Sequence, residues 1–594
     1  MKRCPECRRD YYDDTLSFCL EDGTPLVQGS VPIGQISADE PATAILSEPG
    51  AVATGFRGGE DKTRPQILAT DKTMIFPRGA EAEPQKSLGD SPERQSLSAH
   101  RAAKPLAVLA VAVLVLVGGF FGYRYFKSTS TEQINSIAVL PFENRSGNAD
   151  TDYLSDGLAD SLIYRLSQLP NLKVSPTSSV MRYKGKETDV AQIAKELKVD
   201  AVMSGRLVQR GDDLTISVQL IDSRTEKLIW AEQYDRKMSD LLATQREIAT
   251  AITQKLQLKL AGDDAKGITK RYTDNNEAYQ LYLKGRYHYA KRTKDDLQKG
   301  IEYFQQAVRL DPNYALAYAM IADSYIIMPA YPYMSPKEAF PQAKAAARKA
   351  LEIDPTLTEA HMAMACSVGL FDRNWAEAER GLKRAIDLDP KNSLAHLRFA
   401  ICSYVPTGRM DEAIRETELA IELDPLNLVN GSNLVWNYML AGRNADALAQ
   451  GKKVYDLEPD FVLGRYHLGL AYNANGMYKE AIALTEKSLQ ADPANQGRLQ
   501  VAGYAYARSG RRNEANAIIA RFKEISKTQY VMSFFVATIY AGLGEKDAAF
   551  VELEKGYEQH DWQMSAVLKK EPMLDPLRGD PRYKDLLKRM NLPE

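Results

Sequence analysis

Residues 408–425 read GRMDEAIRETELAIELDP, and this stretch decides how most of the chain folds. Gly408 is a turn residue, Ala413 a small residue where two helices can cross, and Asp424-Pro425 ends a helix that proline cannot continue. The same marks recur on both sides. Prolines stand at 312, 355, 390, 425, 459 and 493, each preceded by an acidic residue, and the period is about 34 residues. Ala343, Ala378, Ala413, Ala447, Ala481 and Ala515 keep the crossing position, and Gly408, Gly442, Gly476 and Gly510 keep the turn. The interval from Pro312 to Pro355 is longer because it carries PAYPYMSPKEAFP at 329–341.

This spacing resembles the tetratricopeptide (TPR) repeat. The resemblance covers 274–562 and implies an array of about eight helix pairs, the first imperfect, closed by a polar cap over 563–594. Each pair leaves an apolar face that only its neighbour can bury, so the units stack as an α-solenoid. The family holds extended peptides or helices in a groove lined by the first helix of each pair. Carried onto this chain, the phase puts Asp323, Glu359, Tyr404, Trp436, Tyr466, Asn473 and Tyr504 on or near that groove as partner-binding candidates. His361 and His396 stand one repeat apart, which reads as equivalent positions in neighbouring helices and not as a metal pair. Cys366 and Cys402 are also near-equivalent, and buried free thiols are expected there, with a disulfide as the alternative.

Upstream, 133–262 alternates strand and helix signals. INSIAVLPF (134–142) reads as a buried strand, and DYLSDGLADSLIYRLSQLP (152–170) as a helix with Leu154, Leu158, Leu162, Ile163 and Leu166 on one face. DVAQIAKELKV (189–199) reads as a second helix. AVMSGRLVQR and LTISVQLIDS flank Gly211-Asp212 as a hairpin, EKLIWAEQYDRK adds a strand, and 239–258 a last helix. The order and spacing resemble the TolB amino-terminal-like domain, a non-catalytic α/β module. Ser155-Asp156-Gly157 has no histidine in this segment to act as its base, so a helix-entry role is expected of it.

Residues 105–123, PLAVLAVAVLVLVGGFFGY, carry no charge and have the length needed to cross a bilayer core of about 30 Å, so 104–124 is expected to be a single transmembrane helix. Gly118 and Gly122 form a GxxxG spacing that would let two such helices pack as a homodimer. Arg94, Arg101 and Lys104 against Arg124 and Lys127 bias the N-terminus to the cytoplasm. Residues 128–594 then lie outside the inner membrane of a bacterial cell, a setting that the family resemblances imply. Residues 28–103, rich in Gly, Pro and Ser, read as a disordered cytoplasmic linker. Within it Thr43 and Thr73 each precede an apolar residue by three, as in phosphothreonine motifs, although chance explains them better.

The first 27 residues hold three of the five cysteines. Cys4 and Cys7 form a CPxC knuckle, and Cys19 sits in a second turn. The arrangement resembles a zinc-ribbon-like knuckle. A complete ribbon would carry a fourth cysteine near position 22, where this chain has Asp22, so the expected Zn2+ site is Cys4, Cys7, Cys19 and Asp22, against a metal-free turn packed by Tyr11, Leu16, Phe18 and Leu26. The net charge of -2 gives no basic excess pointing to nucleic acid. No phosphate-binding loop, HExxH, GxSxG or kinase motif occurs, and six histidines form no cluster, so no enzyme is expected. Together these readings describe a membrane-anchored scaffold or sensor that binds protein partners. The alternatives are a transmembrane regulator working through a separate cytoplasmic kinase or transcription factor, and an envelope assembly or trafficking factor.

Overall fold

The computed structural model describes residues 134–592 apart from 170, 187–188, 257 and 259–269, together with three two-residue strands near the N-terminus. Two compact units divide the chain, 1–106 and 107–594. In the first, β1 (Lys2–Arg3) pairs antiparallel with both β2 (Asp10–Tyr11) and β3 (Val27–Gln28). The four candidate zinc ligands, the linker with Thr43 and Thr73, and the segment 104–124 with Gly118 and Gly122 lie outside the described residues. Among the described residues no helix is long and apolar enough to cross a membrane.

The second unit begins with a mixed sheet in the order β6-β4-β7-β8-β9, with β5 (Glu143–Asn144) pairing with the far part of β7. β4 (Ser136–Val139) is completely buried and runs parallel to β6 (Lys173–Val174) and β7 (Ala201–Arg210), as an unbroken apolar strand requires. β7, β8 (Asp213–Asp222) and β9 (Lys227–Lys237) form an antiparallel meander. Arg210 pairs with Asp213, so Gly211 and Asp212 are the two turn residues, and Gly211 takes the left-handed φ of +62° that such a turn demands. Helix Asp152–Ser167 covers the sheet with Leu154, Leu158, Leu162, Ile163 and Leu166 all buried.

That helix starts at Asp152, so Ser155-Asp156-Gly157 lies inside it and is not its cap. The motif serves packing. Asp156 pairs with Lys184 at 2.7 Å, and a Cβ on Gly157 would stand 2.9 Å from Leu283 in the first repeat helix. The same joint carries further bonds: Arg286 pairs with Asp160 at 2.6 Å, and the Tyr279 hydroxyl donates to Ser161 at 2.8 Å. Lys270 reaches Asp354 at 2.7 Å, and the Ser178 and Ser179 hydroxyls donate to Asp424 in the fourth repeat. One continuous apolar core runs from Ile137 through Leu283 to Leu586, so the α/β segment and the helices are one body and not modules on a linker.

Eight helix pairs follow among the described residues. Repeat 1 is Asn276–Lys291 with Lys294–Leu310, repeat 2 Ala315–Ala330 with Pro336–Ile353, and repeat 3 Thr358–Leu370 with Trp375–Leu388. Repeat 4 opens with Ser393–Phe399, prolonged by a π-helical turn Ala400–Tyr404 and a last turn Val405–Thr407, and closes with Met410–Leu423. Repeats 5 to 8 are Leu428–Leu440 with Asn444–Leu457, Val462–Ala474 with Tyr478–Ala491, Gln496–Arg508 with Arg512–Ile525, and Ser533–Leu543 with Lys546–Gln559. The crossing alanines at 343, 378, 413, 447, 481 and 515 are all fully buried. Gly442, Gly476 and Gly510 each have φ between +70° and +80° and open space around the missing Cβ, so backbone conformation and not room selects glycine there.

The tail differs from the polar cap read from its sequence. Helix Trp562–Val567, a 3-10 turn Pro572–Leu577 and helix Pro581–Arg589 bury Met564, Val567, Leu568, Leu574, Leu577, Tyr583 and Leu586. The charges of DPLRGDPRYKDLLKRM occupy only its outward side, and at this length a helical stripe of three apolar residues is easily overlooked.

Candidate functional site

The groove expected from the repeat phase is the side of the array lined by first helices, and this chain seats its own tail on part of it. Helix Trp562–Val567 packs on the first helices of repeats 2, 3 and 4, and the turn Pro572–Leu577 packs on that of repeat 8. Trp562 lies parallel to Trp436 of repeat 5, with planes 12° apart and ring centres 6.3 Å apart. Asp561 anchors the entry: its carboxylate accepts from the backbone N–H groups of Phe534, Gln563 and Met564 at 3.0, 2.9 and 3.2 Å. Complete burial nevertheless pushes that carboxyl up to about 6 and pushes the equally buried Glu571 up to about 7. Burial, reinforced by the charge of Glu571, raises the Tyr466 phenol well above its ordinary value.

The end of repeat 8 and the tail also meet the edge of repeats 3 and 4. Arg373 lies over the Tyr557 ring at 4.2 Å and donates to its carbonyl at 2.8 Å, and His560 stacks on Phe371 at 4.5 Å. Trp375 Nε1 donates to the Met590 carbonyl at 3.1 Å, and Lys569 donates to that of Thr407 at 3.3 Å. Arg373 holds φ at +58°, a left-handed conformation unusual for a residue with a Cβ. These contacts join residues about two hundred positions apart, and nothing in the repeat period announces them.

Of the seven groove candidates, six are buried or hydrogen-bonded within the array. Asp323 is buried, bonded by the Tyr289 hydroxyl and by Arg398 at 2.9 Å. Tyr404 is buried between Phe399 at 4.3 Å and the Arg409 guanidinium at 4.3 Å. Trp436 is buried between His467 and Trp562, and the Tyr466 hydroxyl donates to Gln500 at 2.7 Å. Asn473 donates to the Val501 carbonyl at 3.0 Å, and Tyr504 is buried against Gly542. Glu359 is half-buried, its Oε2 makes no hydrogen bond, and burial pushes its carboxyl up to about 7. The repeat phase carries no information on what covers the first-helix side.

Cys366 and Cys402 correct the expectation of free thiols: they form a disulfide between the first helices of repeats 3 and 4. Their Cα atoms lie 5.2 Å apart, within the range a disulfide spans. The approach is close because Gly369 lies beside it, where a Cβ would stand 2.9 Å from the Cys402 carbonyl. His361 and His396 do occupy equivalent positions, each donating from Nε2 to a carbonyl, that of Pro355 at 2.9 Å and that of Pro390 at 3.0 Å. Among the described residues no group of three or more His, Cys, Asp and Glu could hold a metal.

Residues 132–251 match the family described as HilA/YgeH-like transcriptional regulator, second domain, over the stretch whose sequence resembled the TolB module. Residues 289–314 and 464–495 match the tetratricopeptide repeat. A Rhizobium meliloti protein named "Putative adenylate cyclase 3" is 32% identical over 187 residues, 32% of either chain. The transcriptional regulator HilA of Salmonella typhimurium is 24% identical over 227 residues, 37% of this chain and 38% of that one. This chain therefore spans about a third of the length of the curated relatives it matches. Similar solved structures include a TPR protein of Thermus thermophilus (19% identity, 33% of this chain and 98% of that one, TM-score 0.29) and human IFIT1 (14%, 53% and 77%, TM-score 0.37).

Proposed function

We infer that the described part of the chain, a mainly helical TPR array with a small α/β region ahead of it, serves as a protein–protein interaction scaffold. We propose that it is a non-catalytic, membrane-anchored scaffold or sensor, held by 104–124 with residues 128–594 outside the cytoplasm. The observation that carries this reading is the groove itself, where the first helices of repeats 2, 3, 4 and 8 already hold a polypeptide segment. The Cys366–Cys402 disulfide supports the outward placement, since such bonds persist in oxidising compartments. The three cysteines of the first 27 residues, with Asp22, would hold Zn2+ in a TolB-like membrane protein of this plan. The test is cross-linking and affinity purification of the full chain from membranes. Recovery of a stoichiometric protein partner is expected, and recovery of none would overturn the scaffold reading.

The match of 132–251 to a transcriptional-regulator domain favours one second reading: a transmembrane regulator acting through a separate cytoplasmic partner. Recovery of a kinase or a transcription factor in the same experiment distinguishes it from an envelope-assembly factor, which would bring down envelope proteins. A DNA-binding signal from the full chain would revise the expectation of no nucleic-acid partner.

A further inference from the structure

The groove and its occupant are not equally well matched along their length. The apolar side fits: Met564, Val567, Leu568 and Leu574 are fully buried. The polar side does not. The indole N–H groups of Trp436 and Trp562 and the Ser565 hydroxyl are all buried without a hydrogen-bond partner. An unsatisfied buried polar atom costs about 1–3 kcal/mol. Asp561 and Glu571 add two carboxyls held almost entirely out of water, at 0% and 1% exposure. A segment that had only to cap the array would not need the unsatisfied atoms, because an apolar helix of the same shape would seat more firmly.

We propose that residues 561–577 are an internal ligand of the groove, displaced when the array takes its partner. The partner is a polypeptide of the same chemistry: a short helix opening on an indole, with Met, Val and Leu along one side, followed by an acid and a proline-led turn. This rests on the scaffold reading and adds to it which surface is used and how it is kept closed. Trp436 is the anchor on the array side, and the bonds from Trp375 to the Met590 carbonyl and from Lys569 to the Thr407 carbonyl, at the edge of repeats 3 and 4, are the latch that opens with the tail.

Hydrogen exchange on the unaltered full chain in detergent tests the latch without any partner. Amides of 562–592 should exchange at least ~10-fold faster than those of repeats 5 and 6, as a sub-global opening requires. Exchange of both regions at one rate would make the tail a structural cap and overturn the proposal. The second measurement adds a labelled synthetic peptide of residues 559–580 to the full chain. Trp562→Ala in the chain should raise its affinity at least ~10-fold over the unaltered chain, in the range of single hot-spot effects. The peptide with its own Trp562→Ala should not bind. No binding by a Trp562→Ala chain that keeps its helical circular dichroism would also overturn it; if that variant unfolds, the exchange result decides. A partner cross-linked elsewhere on the array would leave the scaffold standing while the internal-ligand proposal fails.

Discussion

Trp436 and Trp562 lie almost parallel, 12° apart in plane and 6.3 Å between ring centres, although one belongs to repeat 5 and the other to the tail. His467 continues the stack beyond Trp436 at 5.7 Å, and its Nδ1 donates to the Ser432 carbonyl at 2.6 Å. Burial lowers this imidazole to about 4, so it is neutral and adds no charge to the stack. The tail is thereby tied to the middle of the array.

We expect Trp562→Ala to lower stability by about 2 kcal/mol, the sum of an aromatic pair and part of an indole's burial. Thermal unfolding followed by near-ultraviolet circular dichroism should report it as a lower Tm and a weakened aromatic signal. An unchanged Tm would mean that the stack does not hold the tail.

The Cys366–Cys402 bond closes a sequence interval of 36 residues, for which chain entropy suggests about 3–4 kcal/mol. Thiol labelling of the unfolded, unreduced chain should find neither cysteine reactive. Reduction should lower the Tm, and Cys366→Ala with Cys402→Ala should lower it equally while abolishing the response to reductant.

Gly476→Ala and Gly503→Ala should separate two reasons for glycine. Gly476 has φ +70° with nothing within 4 Å of an added Cβ, so alanine costs only the left-handed strain of about 1–2 kcal/mol. At Gly503 the added Cβ would stand 2.5 Å from Ile539 Cδ1, inside a packed helix crossing. That overpacking should cost more, up to about 3 kcal/mol. Denaturant midpoints of the two variants check the order.

The buried acids of the tail give a signed pH dependence. Glu571 and Asp561 have folded values of about 7 and 6, above their ordinary values of 4.5 and 3.8. The native state therefore holds protons that the unfolded chain has released, and stability falls as pH rises from about 4 to about 7, then levels. The tail's exchange protection should be greater at pH 5 than at pH 8. Glu571→Gln should flatten that difference, and an unchanged slope would show that Glu571 does not titrate in this window.

For the N-terminal knuckle we expect about one Zn2+ per chain, released by chelator, with Cys7→Ser losing the metal. Elemental analysis of a fragment spanning residues 1–30 is the check, and a metal-free fragment would leave a turn held by side-chain packing alone.

The repeat period, the crossing alanines, the turn glycines and the helical face from Leu154 to Leu166 are local. A helix turns every 3.6 residues and a left-handed turn needs glycine, so periodicity alone exposes them. The equivalent histidines at 361 and 396 follow from the same phase. The disulfide was not readable, because near-equivalent cysteines in neighbouring repeats are also compatible with free thiols, and only the approach of the backbones beside Gly369 decides. Nor was the role of Gly157, whose partner Leu283 lies far along the chain. Least readable of all was the tail. Its apolar residues show that something must cover them, but which surface does so depends on how eight stacked pairs bring repeats 3 and 8 together. That is a sum of small rotations between neighbours, and the segment they enclose is selected by long-range packing that leaves no period in the amino-acid order.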